Sequence, residues 1–417
     1  MAALLALAIL ASTVPCSAQR LLRAPESGEA VNPLPSDVQV LESEYTRKDL
    51  PCSVTQRKPE LGFDLRFHTG FDVRLPMVDL AGDSNLLTIV FRVYPQGVKS
   101  NAAFFVQHFT VPAIEDDAKG DAFLQGGIDV GEGAYHVDWL MRDRSERYCS
   151  SSWDVDASLS PKDKPIPLFL GTKEISESLP EPFVNDPSLS AGPKPPGVNQ
   201  SEQLNLKILV NFAPELQNSA SLQRNDLDAL VTILKSIERD RHIAHISLLA
   251  FNMNETRIVY RQDAATQIDF PALGKALQTM RPGTVNLQNL AKHSEADFLE
   301  GLIESEVATT NHPDAVIFAG PKAMLEADVP QQDLRRIGDI ECPVFYLNYN
   351  LDPQATPWKD SISHAIHAFR GMEFTISRPR DVWFSTVDVL TRISRSKRER
   401  AMATVSTTET PGRVLRQ

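Results

Sequence analysis

Apolar positions follow two different rhythms along this chain. Between Cys52 and Asp156 they alternate with polar ones: Phe63, Leu65 and Phe67 against Asp64, Arg66 and His68, then Phe71, Val73 and Leu75 beyond a Thr69-Gly70 turn. Leu87, Ile89, Phe91 and Val93 repeat the scheme, and so do Tyr135, Val137, Trp139 and Met141. Successive strand side chains point to opposite faces, so a period of two marks strands with one buried face. Gly126-Gly127, Gly131-Glu132-Gly133 and Asp143-Arg144-Ser145 punctuate these runs as turns. Short alternating strands at this spacing predict an all-β, immunoglobulin-like antiparallel sandwich over residues 51–156.

From Leu204 to Arg395 the rhythm changes. Leu206–Phe212, Ile246–Phe251, Ala315–Phe318 and Pro343–Leu347 are short, almost continuous apolar runs, as expected of strands covered on both faces. Amphipathic segments separate them. The first carries Leu227, Leu230, Val231, Leu234 and Ile237 on one face, with Asn225 or Asp226 as cap. Asn252–Glu255 reads as a hairpin turn into Arg257–Tyr260, and Asp269 caps a helix with Pro271 in its first turn. Ser294 and Asp297 resemble a capping box for a helix over 298–307. A helix from His364 to Arg370, a strand Met372–Ile376 and a last helix from Pro379 through Ile393 complete the half. The pattern predicts an α/β fold: a doubly wound, mostly parallel six-stranded sheet preceded by the sandwich.

Between the halves, residues 157–203 form a Pro-rich linker in which neither helix nor central strand can run through. Within it, Ile166–Leu170 could dock as an edge strand. Residues 20–50 read as a polar, aperiodic arm, and 396–417 as a disordered tail with a basic start. The apolar stretch at Met1–Leu10, followed by small residues up to Ala18 and Gln19, reads as a signal peptide over 1–19. A secreted or periplasmic location follows, with no membrane span. Export favours a bridge between Cys52 and Cys149, and Cys342 reads as a small core hydrophobe. The net charge of −12 over 417 residues argues against a nucleic-acid binder, which needs a basic face.

The order of elements over 204–395, with one hairpin among otherwise parallel strands, resembles the von Willebrand factor type A domain. Gly283-Thr284 before a helix and Pro313–Phe318 as the central strand belong to that likeness. The whole layout is similar to the secreted A-domain-related proteins abundant in acidobacteria. The family holds a divalent ion through Asp-x-Ser-x-Ser after its first strand, a Thr, and an Asp after its central strand. The matching positions here are Asn211, Ala213 and Glu215, then Thr284, then Ala319-Gly320-Pro321. Most hard oxygen ligands are gone, so the resemblance implies a degenerate metal-ion-dependent adhesion site, with no metal and no cofactor.

Other constellations are weak. His364 and His367 stand three apart without a third ligand, and Glu115–Asp117 with Asp121 lacks Ca²⁺-loop spacing. The sequence contains no Gly-x-Ser-x-Gly elbow and no phosphate-cradling Gly-x-x-x-x-Gly-Lys loop. Ser219 and Ser221 have no base in their neighbourhood, and Trp153, Trp358 and Trp383 are scattered as packing residues. The reading that results is a non-enzymatic binding or scaffolding protein. Recognition is expected from loops at the carboxyl edge of the sheet, through Asn211, Glu215, Thr284, Asn348 and Asn350. The expected partner is a protein at the cell envelope or outside. The alternatives are an extracytoplasmic hydrolase on a Rossmann-like sheet and a purely structural envelope component.

Overall fold

A computed structural model describes residues 20–23, 33–43, 45–178, 183, 203–215, 222–279, 294–307, 313–325, 328–336, 340, 342–351 and 359–408. The expected signal peptide, linker residues 179–182 and 184–202, Thr284, Ser219, Ser221 and Trp358 lie outside them. Two compact units divide the chain. One takes residues up to Leu61, Arg66–Pro161 and Leu170–Pro180; the other takes Gly62–Leu65, Lys162–Phe169 and everything from Glu181 onward.

The first unit contains β1 (Arg20–Arg23), α1 (Pro35–Glu42), β2 (Ser53–Leu61), β3 (Phe67–Pro76), β4 (Asn85–Pro95) and β5 (Ala103–Val111). It continues with β6 (Asp121–Val130), β7 (Gly133–Arg142), β8 (Tyr148–Ala157) and β9 (Ile175–Glu177). They form two antiparallel sheets, in the orders β1-β5-β4-β7-β8 and β2-β3-β6-β9. Period-two residues from both sheets meet inside: the Phe71 ring lies edge-on to Phe91 at 5.2 Å and to Trp139 at 5.5 Å. Such aromatic pairs favour edge-to-face geometry because the ring face is electron-rich and its rim is not. Cys52, just before β2, is disulfide-bonded to Cys149 in β8 across 97 positions. The polar arm is ordered in part. In α1, Leu41 is buried and the buried Asp37 accepts from Arg142 Nε at 3.0 Å, an anchor too sparse to show as a period.

The second unit contains β10 (Leu204–Asn211), α2 (Arg224–Glu238), β11 (Ile243–Asn252), β12 (Arg257–Ala265), α3 (Phe270–Leu277) and α4 (Ser294–Glu306). After these come β13 (Ala315–Pro321), α5 (Gln331–Arg336), β14 (Val344–Tyr349), α6 (Ser361–Ala368), β15 (Met372–Ile376) and α7 (Pro379–Thr408). The sheet order is β12-β11-β10-β13-β14-β15, parallel except for the antiparallel hairpin pair β11 and β12. Alternate residues of the central strands feed separate cores. Ile208, Val210, Ile317 and Phe345 pack with α2, α3 and α7. Leu209, Val316, Phe318 and Tyr346 pack with α4 and α6.

The expected fold class is corrected by these assignments. Among the described residues strands dominate: fifteen lie in three sheets, nine of them in the two antiparallel sheets, and the six-stranded sheet is mixed. The chain is mostly β, not a doubly wound α/β protein with a sandwich in front. Continuous apolar runs stand out in a sequence more than half-polar strands do, so the nine antiparallel strands weigh more in the fold than their pattern suggests. Three smaller expectations also shift. Asp226 is not the cap of α2; it accepts from Gln223 N at 2.9 Å one turn inside the helix. Residues 166–170 form no strand, although Ile166, Phe169 and Leu170 are buried. The last helix continues past Ile393 to Thr408. Among the described residues, no helix is long and apolar enough to cross a membrane.

Candidate functional site

The polar residues at the carboxyl edge of the six-stranded sheet are almost all buried. Val210 pairs with Ala319 and Gly320 pairs with Asn348. Paired residues of parallel neighbours face the same way, so Asn211, Gly320 and Asn348 make one row across β10, β13 and β14. Asn211 is 1% exposed and Asn348 is fully buried. Gly320 sits at φ +154°, and a Cβ there would stand 2.7 Å from Asn211 Cβ and 3.0 Å from its backbone oxygen. The strands approach this closely only because the middle of the row has no side chain.

Each asparagine is oriented by one bond. Asn211 Oδ1 accepts from Met253 N at 3.0 Å, which turns Nδ2 away, and Nδ2 has no hydrogen-bond partner among the described residues. Asn348 Nδ2 donates to Glu373 Oε1, and Ser363 Oγ donates to Glu373 Oε2. Asn348 Oδ1 is left without a partner among the described residues. Nearby, Asn252 Nδ2 donates to Phe212 O at 3.0 Å, and Glu255 N donates to Asn252 Oδ1 at 3.1 Å. Glu215, also buried, accepts from Leu351 N at 2.9 Å. Asn350 N donates to Ile376 O at 2.8 Å. Four of the five expected binding residues thus come together at one edge, where they brace the loops after β10, β11 and β14. Thr284 lies outside the described residues.

On the opposite face, Tyr349 is fully buried and its hydroxyl has no partner among the described residues. Burial pushes that phenol well above its ordinary range, and the charges of Asp226 and Glu215 push it further. Asp360 caps α6. Its Oδ1 accepts from Ile362 N at 3.1 Å, Ala323 N at 3.3 Å and Ser363 N at 3.4 Å, while Oδ2 has no partner among the described residues. Burial, helped by the charge of Glu373, pushes the Asp360 carboxyl up to about 6 despite those three donors.

The raised carboxyl has a consequence for stability. The fold favours the protonated acid, so the contribution is fully present below about pH 4 and is lost as the pH rises through about 6. Asp360→Asn keeps an oxygen for the three donors and removes the charge. Its urea midpoint is expected to exceed the wild type's at pH 8, by the equivalent of about 3 kcal/mol. The two midpoints should converge toward pH 4. A gap that does not change with pH would show that Asp360 does not titrate in this range.

Among the described residues, the donor set at this edge does not fit a hard divalent ion. Such ions need several carboxylate, hydroxyl or carbonyl oxygens converging on one point. Here the Asn211 oxygen is taken by Met253 N, Ala213 and Gly320 offer no side-chain oxygen, and a Glu215 oxygen is held by Leu351 N. His364 and His367 do not form a pair either. His364 Nε2 lies 3.3 Å from Gln331 Nε2, whereas His367 Nδ1 contacts Ser363 O at 2.7 Å. Sequence reasoning missed Asn252, Glu373 and Asp360. Only Asp360 carried a local signal: an Asp immediately before Ser361-Ile362-Ser363 is a cap signature that places the helix start ahead of His364.

No family model and no curated protein matches the chain. Among solved structures it is similar to proximal thread matrix protein 1 from the mussel byssus, described with a zinc-occupied MIDAS motif. That match has TM-score 0.27 and 9% identity, and covers 45% of this chain. The chain spans 47% of the length of that protein. It is also similar to the PilB minor pilin from Streptococcus sanguinis, at TM-score 0.28 and 8% identity over 76% of this chain and 88% of the pilin. Likenesses of this size carry no inference about fold or activity.

Proposed function

We propose that this chain is an exported, non-enzymatic binding or scaffolding protein that recognises a protein partner through the carboxyl edge of its six-stranded sheet. One observation carries the reading. Two buried asparagines flank Gly320 in a single row, and each keeps one polar atom without a partner among the described residues: a donor on Asn211 and an acceptor on Asn348. A buried polar atom left unpaired costs about 1–3 kcal/mol, and native folds retain few of them. A hydroxyl or amide of a bound partner would satisfy both. The bracing bonds to Met253, Leu351 and Glu373 support the same reading, because they fix this edge before any partner arrives. Recognition on this reading uses no metal ion. An N-terminal stretch that reads as an export signal, together with the A-domain resemblance, favours a partner at the cell envelope or outside.

The test is quantitative capture from an envelope extract of the producing cells, with the full chain and an Asn211→Leu/Asn348→Leu variant side by side. Matching circular dichroism should first confirm that both fold. At least one protein held by the wild type should fall at least tenfold with the variant. Equal recovery of every captured protein would overturn the proposal.

A further inference from the structure

The outer face of the five-stranded sheet carries a second feature, independent of the sheet edge in the other unit. A polar cleft of about 210 Å³ opens between that face and the segment following α1. Its floor comes from alternate positions on three adjacent strands: Arg92 and Tyr94 on β4, His136 and Asp138 on β7, and Ser152 on β8.

The charges of the floor are already paired with one another. Arg92 Nε and Nη2 donate to Asp138 Oδ2 at 2.9 and 2.7 Å, and Nη1 donates to Glu42 Oε1 at 3.3 Å. The His136 ring lies between two carboxylates, with Nδ1 at 2.6 Å from Asp154 Oδ1 and Nε2 at 3.2 Å from Asp138 Oδ1. A strongly ionic ligand would have to break these pairs. Other groups stand unused at the walls: the hydroxyls of Ser152 and Thr46 make no hydrogen bond among the described residues, while the Lys99 ammonium lies 5.9 Å from the centre of the Tyr94 ring. Tyr45 stands at the rim with 84% of its surface exposed, whereas the Tyr94 ring is buried and already packs against Arg92, Lys99 and His136.

Fixed, mutually neutralised polar groups, free hydroxyls and the exposed Tyr45 ring together suit one ligand chemistry. Hydroxyl groups can bond to the spare lone pairs of paired carboxylates without displacing their cations. The C–H faces of a sugar ring are apolar enough to lie on an aromatic ring. We infer that this cleft is a saccharide-binding site, built for a small neutral polyhydroxylated ligand and not for an anion.

Saturation-transfer NMR on the full chain tests this with cellobiose, lactose and chitobiose as probes, and with citrate and inorganic phosphate in parallel. Protein-to-ligand transfer is expected for at least one disaccharide. It should fall at least fivefold in Tyr45→Ala or in Ser152→Leu, both exposed positions whose variants should keep the wild-type circular dichroism. Three results would overturn the inference: no transfer to any disaccharide, transfer undiminished in both variants, or titration shifts at Tyr94 and His136 with the anions alone. If the two variants misfold, Lys99→Ala replaces them under the same fivefold criterion.

Discussion

Replacing Cys52 and Cys149 together by alanine is expected to lower the stability of the antiparallel unit by about 4–5 kcal/mol, the chain-entropy value for a loop near 100 residues. The bridge closes a loop of 97 positions, and its Cα atoms lie 6.3 Å apart, within the span that an unstrained backbone accepts. Most of the unit's strands, β2 to β7, lie inside this loop, so the unfolded chain gains more freedom than a hairpin-sized bridge would give it. Hydrogen exchange of peptides from β4 and β7 reads the effect without interference from the other unit. Protection there should fall on the order of a thousandfold, since 1.4 kcal/mol is a factor of ten. A loss below tenfold would mean that the unfolded chain is already compact without the link. Scrambling with Cys342 is disfavoured, because it is buried and burial pushes its thiol up, away from the reactive thiolate.

The second large effect is expected at the row across the six-stranded sheet. Gly320→Ala places a methyl group 2.7 Å from Asn211 Cβ and 3.0 Å from Asn211 O, on a backbone at φ +154° that side chains rarely adopt. Overpacking costs about 1–3 kcal/mol and the backbone strain about as much again, so a loss of roughly 3–5 kcal/mol is expected. Gly301→Ala is the control with the opposite sign. Gly301 lies inside α4, and open space surrounds the point where its added methyl group would stand, with no heavy atom within 4 Å. The same substitution there should stabilise the helix by about 0.5–1 kcal/mol. Hydrogen exchange of peptides from β10 and β13 separates the two. If Gly320→Ala proved as mild as its control, β10 and β13 would have to be free to move apart, and the unpaired asparagine atoms would lose their significance.

The sheet segments of the second unit were legible because strands buried on both faces read as unbroken apolar runs; Leu206–Phe212 and Ala315–Phe318 locate β10 and β13 within a residue or two at most ends. The balance of the whole chain was not legible, because half-polar strands such as β2, and β1 in the polar arm, leave faint traces. The candidate residues were found from their place after strands, but their task was not. Asn211, Glu215 and Asn348 act on Met253, Leu351 and Glu373, which lie 42, 136 and 25 positions away. No local window contains both members of such a pair. The cleft of the first unit was equally hidden. Its floor lies on three strands whose polar positions look, one strand at a time, like any solvated face.

The final helix has a bearing on how the second unit comes into being. Lys397 Nζ donates to Gln203 O and to Asp314 Oδ2 at 2.9 Å, Arg400 Nη2 donates to Asp314 O at 2.9 Å, and Asp314 Oδ2 also receives Asn205 N at 2.8 Å. The clasp that secures the beginnings of β10 and β13 therefore leaves the ribosome nearly two hundred residues after the first strand that it secures. At ordinary synthesis rates that interval is about 10–40 s. Until then β10 and β13, the two central strands of the sheet, lack these ties at their starting ends.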